Sequence, residues 1–163
     1  MDLVNGELTV SGPNSLENKM KKLQVFYDKT ETFLRGGKSL VSQQIEGTIF
    51  IYDIYQMTNI IDSAENSISF MNQIRQIIKE NYKRYDCFLI IHGTDTMEHT
   101  AAALSFTVSN LTKPIVLTGS QIPLSNVVND AYRNLLGCLR VLGELISQIF
   151  NTRSLCLLQW QSV

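Results

Sequence analysis

Two short runs constrain this chain more than anything else in it. Cys87-Phe88-Leu89-Ile90-Ile91 is apolar at every position, and Ile115-Val116-Leu117-Thr118 is apolar up to its last residue. A strand with one wet face alternates, so unbroken apolar runs belong to strands covered on both sides, the condition of a parallel sheet. Between them, residues 98–111 read as a helix that stops before Lys113-Pro114. Strand, helix, strand in this order is a βαβ unit with a right-handed crossover. The polar turns His92-Gly93-Thr94-Asp95-Thr96 and Gly119-Ser120-Gln121-Ile122-Pro123 therefore fall at one edge of the sheet.

The flanks extend this pattern. Ser15 can cap a helix with Leu16, Met20 and Leu23 on one face, and Gly36-Gly37 then breaks the chain. Thr48 to Tyr52 reads as a strand, followed by a polar bend through Asp62-Ser63-Ala64-Glu65-Asn66. Ser67 is a natural N-cap for an amphipathic helix in which Phe70, Ile74, Ile77 and Ile78 recur at helical spacing as far as Asn81. A long helix over residues 130–150 carries Leu135, Leu139, Leu142 and Ile146 on one side, and residues 154–158 form a further strand. The expected fold is α/β, an open and mainly parallel sheet with helices on both faces. Ligands of such sheets bind beyond the carboxyl ends of the strands, where Asp62-Ser63, Thr94-Asp95 and Gly119-Ser120-Gln121 gather.

Bulk properties narrow the partners. The 163 residues have room for one sheet and its helices. Fourteen Lys and Arg against 15 Asp and Glu give a net charge of -1, so no basic surface is offered to nucleic acid or anionic lipid, and a small polar ligand fits better. The apolar runs are too short to cross a bilayer, and Met1-Asp2-Leu3-Val4-Asn5-Gly6 has neither the basic start nor the apolar stretch of a signal peptide, so a cytoplasmic protein is expected. Cys87, Cys138 and Cys156 are widely spaced among apolar neighbours and read as buried free thiols. His92 and His99 have no ligand partners at a recognisable spacing, so no metal is expected; one closes a strand and the other sits on the exposed side of a helix.

Chemistry concentrates at Thr94, Asp95 and Thr96, where hydroxyl and carboxylate groups meet the N–H groups of a helix start. A hydroxyl attacks an amide only when a base or charge partner activates it, and Asp95 is the local candidate. Turn chemistry alone favours the plainer readings: helix caps for these residues, a polar loop for Asp62-Ser63, and an ordinary turn for Gly119-Ser120-Gln121.

The joint pattern favours function. Ile91-His92-Gly93-Thr94-Asp95-Thr96-Met97-Glu98, completed by Thr100, resembles the HGTDTMxxT signature of the asparaginase and glutaminase family. The likeness continues through Ala103-Leu104-Ser105-Phe106, through Lys113-Pro114 to Pro123, and through Asp130 with Asn134-Leu135-Leu136, all similar to the cytoplasmic, type I branch. Asp62-Ser63-Ala64 resembles the family's substrate loop, and Val10-Ser11-Gly12 the segment after its first active-site loop. The resemblance implies the family's amino-terminal α/β domain and hydrolysis of the asparagine side-chain amide with no metal or organic cofactor. It implies that Ser63, beside Asp62, holds the substrate α-carboxylate and that Asp95 holds its α-amino group. Thr94 would belong to a catalytic threonine triad with Asp95 as its carboxylate partner, and Gly93, Ser120 and Gln121 would have supporting places.

The resemblance also implies an incomplete copy of that domain over residues 1–163. The family's TGGTI-type nucleophile loop follows a central first strand and has no counterpart here; Glu46-Gly47-Thr48-Ile49 lacks the double glycine, and Thr48 reads as a strand residue. The triad lysine and the carboxyl-terminal domain are likewise without counterpart, Arg153 cannot act as a neutral base, and Gln159-Trp160-Gln161-Ser162-Val163 does not resemble the family. A missing central strand would leave its two neighbours unpaired. A poorly stable chain with little or no asparaginase activity is therefore expected, and the family's homo-oligomer is not expected to carry over. Two other readings stay open: a non-catalytic asparagine- or aspartate-binding or subunit-interaction protein, and a nucleotide-binding module, the latter disfavoured by the lack of any phosphate-binding glycine loop.

Overall fold

The computed structural model describes residues 2–4, 7–9, 14–57, 67–148 and 153–160. Strands β1 (Asp2–Val4) and β2 (Glu7–Thr9) form a two-stranded antiparallel ribbon. Helix α1 (Ser15–Met20), a 3-10 turn (Gln24–Phe26) and helix α2 (Lys29–Leu34) lead into β3 (Leu40–Ile45) and β4 (Thr48–Gln56). Then follow α3 (Ile68–Asn81), β5 (Cys87–Ile91), α4 (Met97–Thr107), β6 (Ile115–Thr118), α5 (Ala131–Ser147) and β7 (Arg153–Trp160). The main sheet has the order β3-β4-β7-β5-β6; only the β3–β4 pair is antiparallel. This is the open, mainly parallel sheet that the two apolar runs demanded.

Helices cover both faces because β5 is apolar in both directions. Cys87 and Leu89 point into a core with Phe50, Tyr52 and the α5 residues Leu135, Leu139, Leu142 and Ile146. Phe88 and Ile90 point the other way, into a core with Phe70, Ile74, Ile77 and Ile78 of α3 and Leu104 of α4. The stripes read from spacing in α3 and α5 are thus the buried ones; α1 buries Leu16 and Met20 but ends before Leu23, and its N-cap is Asn14 and not Ser15. Ser67 caps α3 by accepting from the Phe70 N–H at 3.4 Å. Helix α4 stops earlier than expected, at Thr107, because Val108 is extended and Asn110 takes a left-handed φ of 56°.

The hairpin between β3 and β4 turns through Glu46 (φ 46°) and Gly47 (φ 89°), two positive values that match the twist of a two-residue hairpin. Thr48 is the first residue of β4, a strand residue as expected.

The sheet departs from expectation at its centre. Strands β4 and β5 are not left unpaired: β7 lies between them, parallel to both, from Ile49↔Arg153 to Gln56↔Trp160 on one side and from Cys87↔Cys156 to Ile91↔Trp160 on the other. The strand expected over 154–158 runs on through Gln159 and Trp160, since continuous pairing on both sides carries it past the end of its apolar stretch. Cys87 is a buried free thiol and Cys138 a half-buried one; the Cys156 side chain lies outside the description. Among the described residues no helix is long and apolar enough to cross a membrane.

Candidate functional site at the strand ends

Because β4, β5, β6 and β7 run parallel, their carboxyl ends share one edge, and the turns after β5 and β6 meet there. The Gln121 carboxamide donates from Nε2 to the Thr94 hydroxyl at 3.1 Å. Thr94 is half-buried, Asp95 is exposed beside it, and Ser120 is half-buried in the opposite turn. Thr94 and Gln121 are thereby joined directly. Asp62 and Ser63 lie outside the described residues.

The two turns fit because position 119 is glycine. A Cβ there would stand 2.6 Å from the His92 carbonyl oxygen and 3.2 Å from the Thr94 methyl. The His92 N–H donates to the Thr118 carbonyl at 2.7 Å, so the sheet ladder continues to the brink of the crevice.

Asp130 fixes the second turn from outside it. Its carboxylate accepts from the Gln121 N–H at 2.9 Å and from the Ile122 N–H at 2.8 Å. Asn134, one turn into α5, donates from Nδ2 to the Gly119 carbonyl at 2.8 Å and, more weakly, to Asp130 at 3.4 Å. The Gln121 N–H is the main influence holding the Asp130 carboxyl below the ordinary aspartate range; slight burial opposes it, and the Ile122 N–H and Asn134 add to it.

The histidine that closes β5 is structural, as its position suggested. His92 is fully buried; its Nδ1 is 2.7 Å from the Gly93 carbonyl oxygen and its Nε2 is 2.9 Å from the Thr100 hydroxyl. A carbonyl can only accept, so Nδ1 carries the proton and Nε2 accepts from Thr100. Burial pushes the imidazole below its ordinary value of 6.5, against the opposing pull of the Gly93 carbonyl and Glu98. The sign follows directly: the unfolded histidine takes up a proton below about 6.5 while the folded one resists, so the unfolded state binds more protons there. Chemical denaturation should show a His92 contribution to stability that is intact above pH 6.5 and declines as the pH is lowered. In His92→Gln that histidine-linked decline should be absent. His99 is exposed on α4 with its Nδ1 3.9 Å from Glu98.

The plain-cap reading does not hold at Thr96. Thr96 occupies the N-cap position of α4 and its side chain makes no capping hydrogen bond. Thr94 spends its oxygen on Gln121 instead. Sequence reasoning missed the roles of Asp130 and Asn134; the available signal was the pair Asn129-Asp130, two capping residues before one helix start. Among the described residues no group of three or more His, Cys, Asp and Glu side chains could hold a metal ion. The open cavity of about 710 Å3 beside the second turn is lined by Leu23, Ile122, Leu124 and Tyr132 together with Asp130; Thr94 and Asp95 do not line it.

The model of the family described as "Asparaginase, N-terminal" matches residues 11–150. L-asparaginase 1 of Escherichia coli (strain K12) is 42% identical over 106 residues, spanning 63% of this chain and 31% of that protein. The 60 kDa lysophospholipase of Mus musculus is also 42% identical, over 96 residues that span 59% of this chain and 17% of that one. Among solved structures, L-asparaginase I from Vibrio cholerae superposes with a TM-score of 0.53 at 45% identity, covering 55% of this chain and 27% of that chain. The chain spans less than a third of the length of each of these relatives.

Proposed function

The chain belongs to the asparaginase family through that family's amino-terminal domain, and from that premise we propose that its strand-end crevice binds L-asparagine for hydrolysis of the side-chain amide, and binds the product L-aspartate in the same place. The observation that carries this reading is the Thr94 hydroxyl, held by Gln121 at the mouth of α4 with the exposed Asp95 carboxylate beside it.

The chemistry of each group suits the ligand. Asp95 presents a carboxylate to the substrate ammonium, a charge-assisted hydrogen bond of the stronger kind. Thr94 accepts from Gln121, so its own proton remains to be donated. The N–H groups at the start of α4 favour negative charge, as in the oxyanion of an amide under attack. Ser63, beside Asp62, takes the α-carboxylate. In the full reaction an oxygen attacks the amide carbon, the C–N bond breaks with a proton moving to nitrogen, and ammonia leaves. No cofactor enters this scheme, and a cytoplasmic location suits it.

A specific observation favours a second reading, binding with impaired turnover. Thr48, the residue nearest in sequence context to a glycine-threonine nucleophile loop, stands at the amino end of β4, at the edge of the sheet opposite Thr94. Arg153 pairs with Ile49 at that same far edge, roughly 23 Å along β7 from the crevice. Neither can serve Thr94.

Calorimetric titration of the chain with L-aspartate should show one site, and Asp95→Asn should weaken it at least about tenfold, the loss of one hydrogen bond to a charged group. Ammonia release from L-asparagine above background would support hydrolysis by this chain, and binding with release at background would support the second reading. Absence of binding would remove the crevice reading.

A further inference from the structure

Asp130 stands where a helix cap belongs and does something else. It occupies the N-cap position of α5, yet its carboxylate makes no capping hydrogen bond to that helix. The cap comes from its neighbour: Asn129 Oδ1 accepts from the Tyr132 N–H at 2.8 Å. That arrangement frees both Asp130 oxygens for the N–H groups of Gln121 and Ile122.

The connections form a chain that ends on the candidate site. Asp130 grips the backbone of Gln121, the Gln121 side chain donates to Thr94, and Asn134 holds the carbonyl of Gly119 at the other side of the same turn. Gly119 in turn packs against the His92 carbonyl and the Thr94 methyl. A turn held by its backbone at two points keeps its central side chain aimed, which is how supporting residues preserve a productive geometry.

We propose that Asp130, assisted by Asn134, is a positioning residue for Thr94, acting through the backbone of residues 119–122 and the Gln121 carboxamide. The inference rests on the proposed ligand-binding role of Thr94 for its consequence, but the mechanical coupling stands on the contacts alone. Removing the clamp releases the turn, Gln121 swings off the hydroxyl, and the crevice loses the orientation of one of its groups.

The test is a methyl NMR spectrum of the threonine-labelled 163-residue chain, read at Thr94 in Gln121→Ala, Asp130→Ala and Asn129→Ala. The clamp requires the Thr94 methyl to move to the same position in Gln121→Ala and Asp130→Ala. It also requires the signal to stay at the native position in Asn129→Ala, which removes the α5 cap and leaves the clamp. Should Asp130→Ala fail to fold, Asp130→Asn gives the same readout, because its NH2 cannot accept from one of the two N–H groups. A native Thr94 signal in both Asp130 variants would overturn the proposal, as would an equal displacement in Asn129→Ala. L-aspartate affinity should fall about tenfold with the clamp removed. If the unsubstituted chain binds no L-aspartate while the methyl pattern holds, the ligand reading fails and the clamp survives.

Discussion

A chain lacking residues 149–163 is expected to lose cooperative unfolding altogether. The deletion removes β7, which pairs with β4 over its full length on one side and with β5 from Cys87 to Ile91 on the other. Without it the two halves of the main sheet have no strand between them, and the facing edges of β4 and β5 keep unpaired backbone groups deep in the molecule. Each ladder hydrogen bond contributes roughly 1 kcal/mol net, and a buried polar group left unsatisfied costs about 1–3 kcal/mol. Losing two ladders at once therefore costs on the order of 10 kcal/mol, comparable to the whole stability of a domain of this size. Helix α5, which packs against β3, β5 and β6, would also lose part of the surface that orders it. A thermal melt followed by circular dichroism should show no sigmoidal transition in the shortened chain. A point substitution gives the milder version: Leu157→Pro, between Asp53 and Phe88, removes a ladder donor in a central strand and should cost about 3 kcal/mol or more. A shortened chain melting within a few degrees of the intact one would show that β7 is not the strand that joins the halves.

Gly119→Ala has the second largest expected effect, and it acts on the site as well as on stability. The new Cβ would lie 2.6 Å from a backbone oxygen, at the end of a strand that cannot easily give way. The φ of Gly119 is not in the left-handed region, so the cost is steric and not one of backbone conformation. Overpacking of this kind costs about 1–3 kcal/mol. Relief comes from parting the two turns, which lengthens the Gln121–Thr94 hydrogen bond and pulls the Gly119 carbonyl from Asn134. The melting temperature should fall by several degrees and L-aspartate binding should weaken by tenfold or more. Gly137→Ala is the control, since a Cβ there meets nothing within 4 Å. It should leave L-aspartate binding near its native value and raise the melting temperature slightly, since alanine is favoured over glycine inside a helix by about 0.4–1 kcal/mol.

The contrast between these positions shows what a sequence of this kind discloses. Strands β5 and β6 were legible because burial on both faces leaves an unbroken apolar run, and α3 and α5 because one buried face imposes helical spacing. Strand β3 was not, since its Ser42-Gln43-Gln44 centre interrupts the apolar pattern and its turn uses Glu46 where asparagine or aspartate is the usual signal. Helix α2 is short, and its Asp28 cap, which accepts from the Glu31 N–H at 2.9 Å, precedes too few apolar residues to show a period. The place of β7 is a different matter. Its apolar residues announce a strand, but which two strands it joins is decided by competition across the whole sheet.

The site divides in the same way. The Thr94-Asp95 turn could be found because it carries a long local motif at a strand end, and its meeting with Gln121 follows from the βαβ unit. The clamp could not be found, because Asp130 has the position and chemistry of a cap and only the structure shows that Asn129 has taken that duty.

The most direct test of the crevice is a backbone amide NMR titration of the 163-residue chain with L-asparagine. The account predicts saturable shifts concentrated at residues 93–96 and 119–122, with the signals of Glu46, Gly47 and Thr48 at the opposite edge unmoved. Shifts confined to that opposite edge, or none at either, would contradict it.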